Sequence, residues 1–116
     1  MVYSPDVWVI LKISRQEAEP EYRVLGGWYG GFLNGDSWRI NSGIVRVERE
    51  EDYYAFFGAS GSCYRCHKGA YRMSSMTASA FAMLSKATPG MSVLEESAAR
   101  LELLVDVDAS AGKDAP

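Results

Sequence analysis

Cys63-Tyr-Arg-Cys66-His67 is the run whose residue types and spacing could do chemistry. It spells C-x-x-C-H, the attachment motif of c-type haem, in which two thioethers hold the porphyrin and the histidine ligates iron. Met73, Met76, Met83 and Met91 follow it and could offer a second axial ligand. The flanks weigh against that reading. They are rich in strand formers, and residues three apart on a strand point to opposite faces, so Cys63 and Cys66 could not both reach one porphyrin. A five-residue match is also a weak signal. As a metal site, Cys63, Cys66 and His67 supply three of the four ligands a structural zinc needs, and the fourth would have to be a carboxylate. The reading that fits the flanks is two small buried thiols on a hairpin, with no metal and no cofactor.

Other catalytic constellations fail on count or spacing. The chain has one histidine, so any serine or cysteine nucleophile would depend on His67. Cys66 sits on the opposite strand face, and Cys63 is roughly 13 Å away along an extended strand. Ser60 lies in Gly58-Ala-Ser-Gly-Ser62, which misses G-x-S-x-G because position 62 is not glycine. Residues 26–44 hold six glycines and four aromatics among nineteen residues, yet match neither phosphate-loop fingerprint, and no helix follows to receive a phosphate. No enzyme is expected.

The same stretch offers contact chemistry instead. Trp28, Tyr29, Phe32 and Trp38 interleave with Arg39, and such side chains add contact area at little entropic cost. A non-enzymatic binding module with Trp28, Tyr29, Phe32, Trp38 and Arg39 as its contact surface is the expectation, and a protein is its expected partner. The alternative is a single-stranded nucleic-acid binder that stacks bases on these rings and uses Arg65, Lys68 and Arg72 for phosphates. Those cations belong to a basic island, since no acid occurs between Tyr53 and Leu94. The net charge of −3 and pI near 5.1 oppose a generic nucleic-acid coat.

These residues need a frame. One hundred and sixteen residues, 47% hydrophobic, suffice for one domain, expected over 1–108 with a disordered polar tail at 109–116. Val7, Val9, Leu11 and Ile13 alternate with Trp8, Ile10, Lys12 and Ser14, so one strand face is wholly apolar and the other half so. Arg15–Glu21 is a charged, proline-stopped turn, and Tyr22–Tyr29 returns as a strand that Gly26-Gly27 should bend. Asn34-Gly35 suits a two-residue hairpin turn pairing Trp28–Leu33 with Asp36–Ile40. Strands follow at Ile44–Glu48, with Val45 and Val47 on one face, at Tyr53–Phe57 and at Ser62–His67.

The period then changes. Ser74 or Ser75 can cap a helix whose apolar stripe is Met76, Ala80, Met83, Leu84 and Ala87, stopped by Thr88-Pro89-Gly90. Beyond it, Ser92-Val-Leu-Glu95 reads as a capping box, while Leu101, Leu103, Val105 and Val107 alternate like a strand. The compromise is a short helix near 93–99 and a strand near 100–107 that closes the sheet. The fold class is α+β: a strongly bent, mostly antiparallel meander of five to six strands on one main helix at about 75–87. A small barrel is the alternative shape.

The start lacks a basic n-region, a sustained apolar stretch and a cleavage site, and no stretch approaches the ~20 apolar residues of a membrane helix. A cytoplasmic location with reduced thiols and no membrane partner is expected. Unpaired sheet edges leave a homodimer open.

Gly-Gly-Trp-Tyr-Gly-Gly-Phe, Asp-Ser-Trp-Arg-Ile-Asn-Ser-Gly-Ile and Ser60-Gly-Ser-Cys-Tyr-Arg-Cys-His67 together resemble small uncharacterised phage- and prophage-borne proteins, over about residues 7–95. That resemblance implies no catalytic residues. It implies an accessory or anti-defence protein that binds and modulates another component.

Overall fold

The structure, a computed structural model, describes residues 1–30 and 35–104. Its centre is the strand read first in the sequence. Val7–Ile13 (β2) is buried at every position except the half-buried Lys12, so both faces are covered. Glu21–Trp28 (β3) returns antiparallel beside it, with Val7 opposite Gly27 and Ile13 opposite Glu21. Ser37–Ile40 (β4) pairs with the far side of β3. Met91–Val93 (β8) pairs with the near side of β2. The first sheet therefore runs β4-β3-β2-β8.

A second sheet runs β1-β7-β6-β5, from Val2–Tyr3 (β1), Cys63–His67 (β7), Tyr53–Gly58 (β6) and Ile44–Arg49 (β5). All its pairs are antiparallel except β1 with β7. The α+β class and the antiparallel bias stand, but one bent meander of five to six strands is corrected to two four-stranded sheets among the described residues. The chain changes sheet at Asn41-Ser42-Gly43. Asn41 donates its N–H to the Val24 carbonyl at 3.0 Å and accepts the Val24 N–H on Oδ1 at 2.8 Å, which ends the β3–β4 ladder.

Two apolar layers result. Trp8, Ile10 and Val24 face the second sheet and pack with Tyr54, Phe56, Tyr64 and Cys66. Val9, Leu11 and Leu25 face the other way, against Ala80 and Phe81 of the helix Ser75–Ala87 (α1). A strand covered on both faces needs apolar residues at successive positions, as β2 has. Gly27 lets α1 approach: a Cβ there would lie 2.6 Å from Cγ2 of Thr77. Gly27 is a place of close approach within a strand whose pairing to β2 runs unbroken through Gly26-Gly27.

Helix α1 begins at Ser74, whose side chain accepts the Thr77 N–H while Thr77 returns the bond, a reciprocal cap. Its inward residues are Thr77 and Ala80, with Phe81 and Leu84 half-buried. The predicted stripe is displaced, and Met83 is 56% exposed. A capping threonine that turns inward rotates the face, because Thr77 satisfies its hydroxyl within the cap.

The predicted strand near 100–107 is also corrected. Glu96–Ala99 forms a short helix (α2), and Arg100–Leu104 continues as a wider π-type turn; residues 105–107 and the expected tail at 109–116 lie outside the described residues. The edge position is taken by β8 instead. Ser92 is part of that strand, and the helix begins after Glu95 without a side-chain cap, so the Ser92–Glu95 capping box does not form. Glu102 anchors the late turn: Lys12 Nζ reaches its Oε1 at 2.5 Å, and the Tyr22 hydroxyl donates to the same oxygen at 3.1 Å. Ala98, Ala99 and Leu103 then cover one end of the layer between the sheets.

In β5, pairing shifts between Ile44 and Arg46, so Val45 is an extra residue and is 68% exposed. The bulge resets the alternation, and Ile44 and Val47 face inward instead of Val45 and Val47.

Candidate functional site

Strand β7 places the Cys-His run. Tyr64 and Cys66 are buried, whereas Cys63 and Arg65 are half-buried on the outer face with His67 exposed. Cys63 and Cys66 thus diverge, and His67 Nδ1 accepts the Gly69 N–H at 2.9 Å to start a 3-10 turn. Among the described residues no group of three His, Cys, Asp or Glu side chains is placed to hold a metal ion. Burial pushes both thiols up, Cys63 with help from the Glu50 carboxylate and Cys66 much further. A raised thiol carries little thiolate at neutral pH. Ellman's reagent is therefore expected to titrate Cys63 slowly in the native protein and Cys66 only after unfolding in urea. Two fast-reacting native thiols would contradict this placement.

The three cations of the nucleic-acid alternative are separated in their engagements. Arg65 makes a forked contact with Glu50, 2.9–3.2 Å, and stacks over the Tyr53 ring at 3.7 Å. Lys68 is half-buried with its ammonium over Tyr54 at 4.9 Å. Arg72 is exposed, and its N–H donates to the Trp8 carbonyl at 3.0 Å. On the same sheet Arg46 stacks over Phe57 at 4.0 Å and pairs with Glu48. Two rings of this sheet, Tyr53 and Phe57, thus each carry a stacked guanidinium that is itself paired with a carboxylate.

The register of the glycine-aromatic stretch differs from the predicted one: Trp28 lies opposite Ser37, where a two-residue Asn34-Gly35 turn would have placed Phe32, and Asn34 itself lies outside the described residues. Two carboxylates end the ladder early. Asp6 Oδ2 accepts the Tyr29 N–H at 2.8 Å, and Asp36 Oδ1 accepts the Gly30 N–H at 3.0 Å. Backbone donors satisfied by side chains have no need of a strand partner.

The five predicted contact residues do not share one face. Trp28 and Arg39 share the face of β3–β4 that looks toward the second sheet, while Trp38 faces the other way and packs beside α1. Tyr29 is 52% exposed, and Phe32 lies outside the described residues. Tyr3 of β1 joins Trp28 and Arg39. The Arg39 guanidinium stands over the Tyr3 ring at 4.6 Å, and that ring meets Trp28 edge-on at 6.4 Å and Tyr64 at 5.0 Å. Burial pushes the Tyr64 phenol up to about 12, against the pull of Arg39.

Val2, Tyr3, Ser4, Trp28, Ser37, Trp38 and Arg39 line an open cleft of about 350 Å³. Arg39 makes no ion pair among the described residues, unlike Arg65, Arg46 and Arg23. Tyr3, Ser4 and Ser37 were not legible as site residues. Only the parallel pairing of β1 with β7 brings Tyr3 within reach of Arg39, and no local spacing signals that. No described helix is long and apolar enough to cross a membrane. Comparison with protein-family models, with curated proteins and with solved structures found no match for this chain.

Proposed function

We propose that the chain is a non-enzymatic protein-binding module whose contact surface is the cleft between β1 and the β3–β4 edge. One observation carries the reading: Arg39, without a carboxylate partner among the described residues, is held over Tyr3 beside half-buried Trp28 in an open cleft. Tryptophan, tyrosine and arginine in a partly desolvated recess are the residue types that dominate binding energy at protein interfaces. Stacking on Tyr3 reduces the ordering cost when the guanidinium meets an acceptor. The role is that of an accessory module acting by occupying another protein's surface, which the phage-borne resemblance also implies. The nucleic-acid alternative draws less support, because Arg65 is committed to Glu50 and Lys68 lies against Tyr54.

A photo-crosslinking residue at exposed Tyr29 tests this in the organism that encodes the chain. The expected result is a discrete protein adduct from position 29, weakened by Arg39→Glu and absent from a crosslinker at Met83 on the outer side of α1. Equal adducts from both positions, or none from position 29, would overturn the proposal.

A further inference from the structure

We infer that the partner enters this site as an extended segment with alternating apolar and acidic side chains, added as a strand along the outer edge of β4. This rests on the protein-binding reading above and names the chemistry of what is bound. Three observations converge on it.

The first is the phase of the β3–β4 ladder. Asn41 donates to the Val24 carbonyl, and the register continues through Arg39 opposite Gly26 and Ser37 opposite Trp28. In an antiparallel pair the bonded positions alternate, so Asn41, Arg39 and Ser37 turn their backbone groups inward to β3. Trp38 and Ile40 therefore turn their N–H and C=O groups outward. β4 ends its sheet, and no strand among the described residues pairs with that edge. An open edge of this kind is a template for an incoming strand.

The second is the character of the two faces beside the edge. Trp38 and Ile40 are only half-buried on the α1 side, so added apolar side chains there would complete their cover. Ser37 and Arg39 are exposed on the other side. A residue added opposite Arg39 falls at a non-hydrogen-bonded position, where facing side chains come closest. Alternation along the guest strand then demands apolar, acidic, apolar.

The third is charge. Arg39 is unpaired among the described residues, while Asp36 and Asp6 nearby are occupied with the N–H groups of Gly30 and Tyr29. The acid is thus wanted opposite Arg39 and disfavoured toward Asp36. A second copy of the chain fits poorly, because antiparallel self-pairing over four residues would bring two Arg39 guanidiniums onto one short face.

The test uses fluorescein-labelled peptides, Ser-Thr-Val-Glu-Val-Thr-Ser, its Gln counterpart, and a version N-methylated at both valines, titrated by anisotropy against the full chain. The Glu peptide is expected to bind at least about tenfold more tightly than the Gln peptide, with a gap that closes in Arg39→Gln and shrinks with added salt. N-methylation of the valines, which lie opposite Trp38 and Ile40, is expected to cost a further tenfold or more, about the loss of two strand bonds. Equal affinity for Glu and Gln peptides, indifference to N-methylation, or a dimer paired through β4 in sedimentation would each overturn the inference. Arg39→Lys keeps the charge and is expected to retain part of the preference, which separates lost recognition from lost folding. Peptides that fail while position 29 still crosslinks a protein would sink the strand chemistry alone; failure of both would sink the binding site itself.

Discussion

Replacing Trp8 with alanine is expected to remove about 3–5 kcal/mol of stability, the range found when a buried tryptophan is truncated. Trp8 is the largest fully buried side chain and stands between the two sheets. Its ring packs on Phe56 at 5.3 Å, edge-on to Tyr71 at 4.8 Å and edge-on to Tyr54 at 6.2 Å. Its Nε1–H donates to the His67 carbonyl at 2.7 Å. One side chain therefore joins β2 to β6, to the end of β7 and to the segment leading into α1. Truncation leaves a cavity between layers that cannot close without moving a sheet, and it strips a carbonyl of its donor. Against the 5–15 kcal/mol of a typical domain this is a large share. Urea unfolding followed by circular dichroism measures it, with Trp8→Phe falling between the two because it keeps a ring and loses the N–H. A loss below about 1 kcal/mol for Trp8→Ala would mean that the sheets are joined elsewhere.

Gly90→Ala comes next, at about 2–4 kcal/mol, from backbone strain plus overpacking. Gly90 has φ +83°, a conformation that an alanine adopts only with strain, and a Cβ there would lie 2.4 Å from the Ser14 carbonyl oxygen. That oxygen belongs to backbone and cannot rotate away. The turn it serves is the one that delivers β8 to the edge of β2, since the Ser14 N–H donates to the Gly90 carbonyl at 3.0 Å. Beyond β8, the Leu94 N–H donates to the Ile10 carbonyl at 3.0 Å, and the Leu94 carbonyl accepts the Tyr71 hydroxyl at 2.6 Å. Hydrogen exchange should therefore accelerate at Leu94, Lys12 and Ser14, whose N–H groups lie on the β2–β8 seam, while β6 and β7 keep their protection. Uniform acceleration in both sheets would show instead that β8 has no local role and that only global stability fell.

Patterns carried by neighbouring residues were readable in advance. The alternation of Val7–Ile13, the strands at 53–57 and 62–67 and the helix at 75–87 follow from periodicity, which depends only on how a local backbone points its side chains. The opposite facing of Cys63 and Cys66 follows from the same rule. What periodicity misplaced were positions where a single residue resets the phase. The extra Val45 in β5 reverses which of its neighbours face inward, and Thr77 rotates α1 by bonding inside its own cap. The late strand failed for a related reason: Leu101 and Leu103 alternate, but Glu102 is held by Lys12 and Tyr22, and the turn curls around that bond.

The candidate site divides along the same line. By itself, the sequence singled out residues 26–44 as the stretch to consider for contact chemistry, with Trp28 and Arg39 as candidates within it, and determined that this stretch lacks the lysine and spacing of a phosphate cradle. Tertiary structure decided which of its rings face together. Trp28 stands opposite Ser37, a place that a two-residue Asn34-Gly35 turn would have given to Phe32, and the N–H groups of Tyr29 and Gly30 beyond it go to Asp6 and Asp36. Tyr3 reaches Arg39 only through a parallel pairing with β7, some sixty residues away. Register and long-range pairing are set by the balance of a whole core, so no local spacing encodes them.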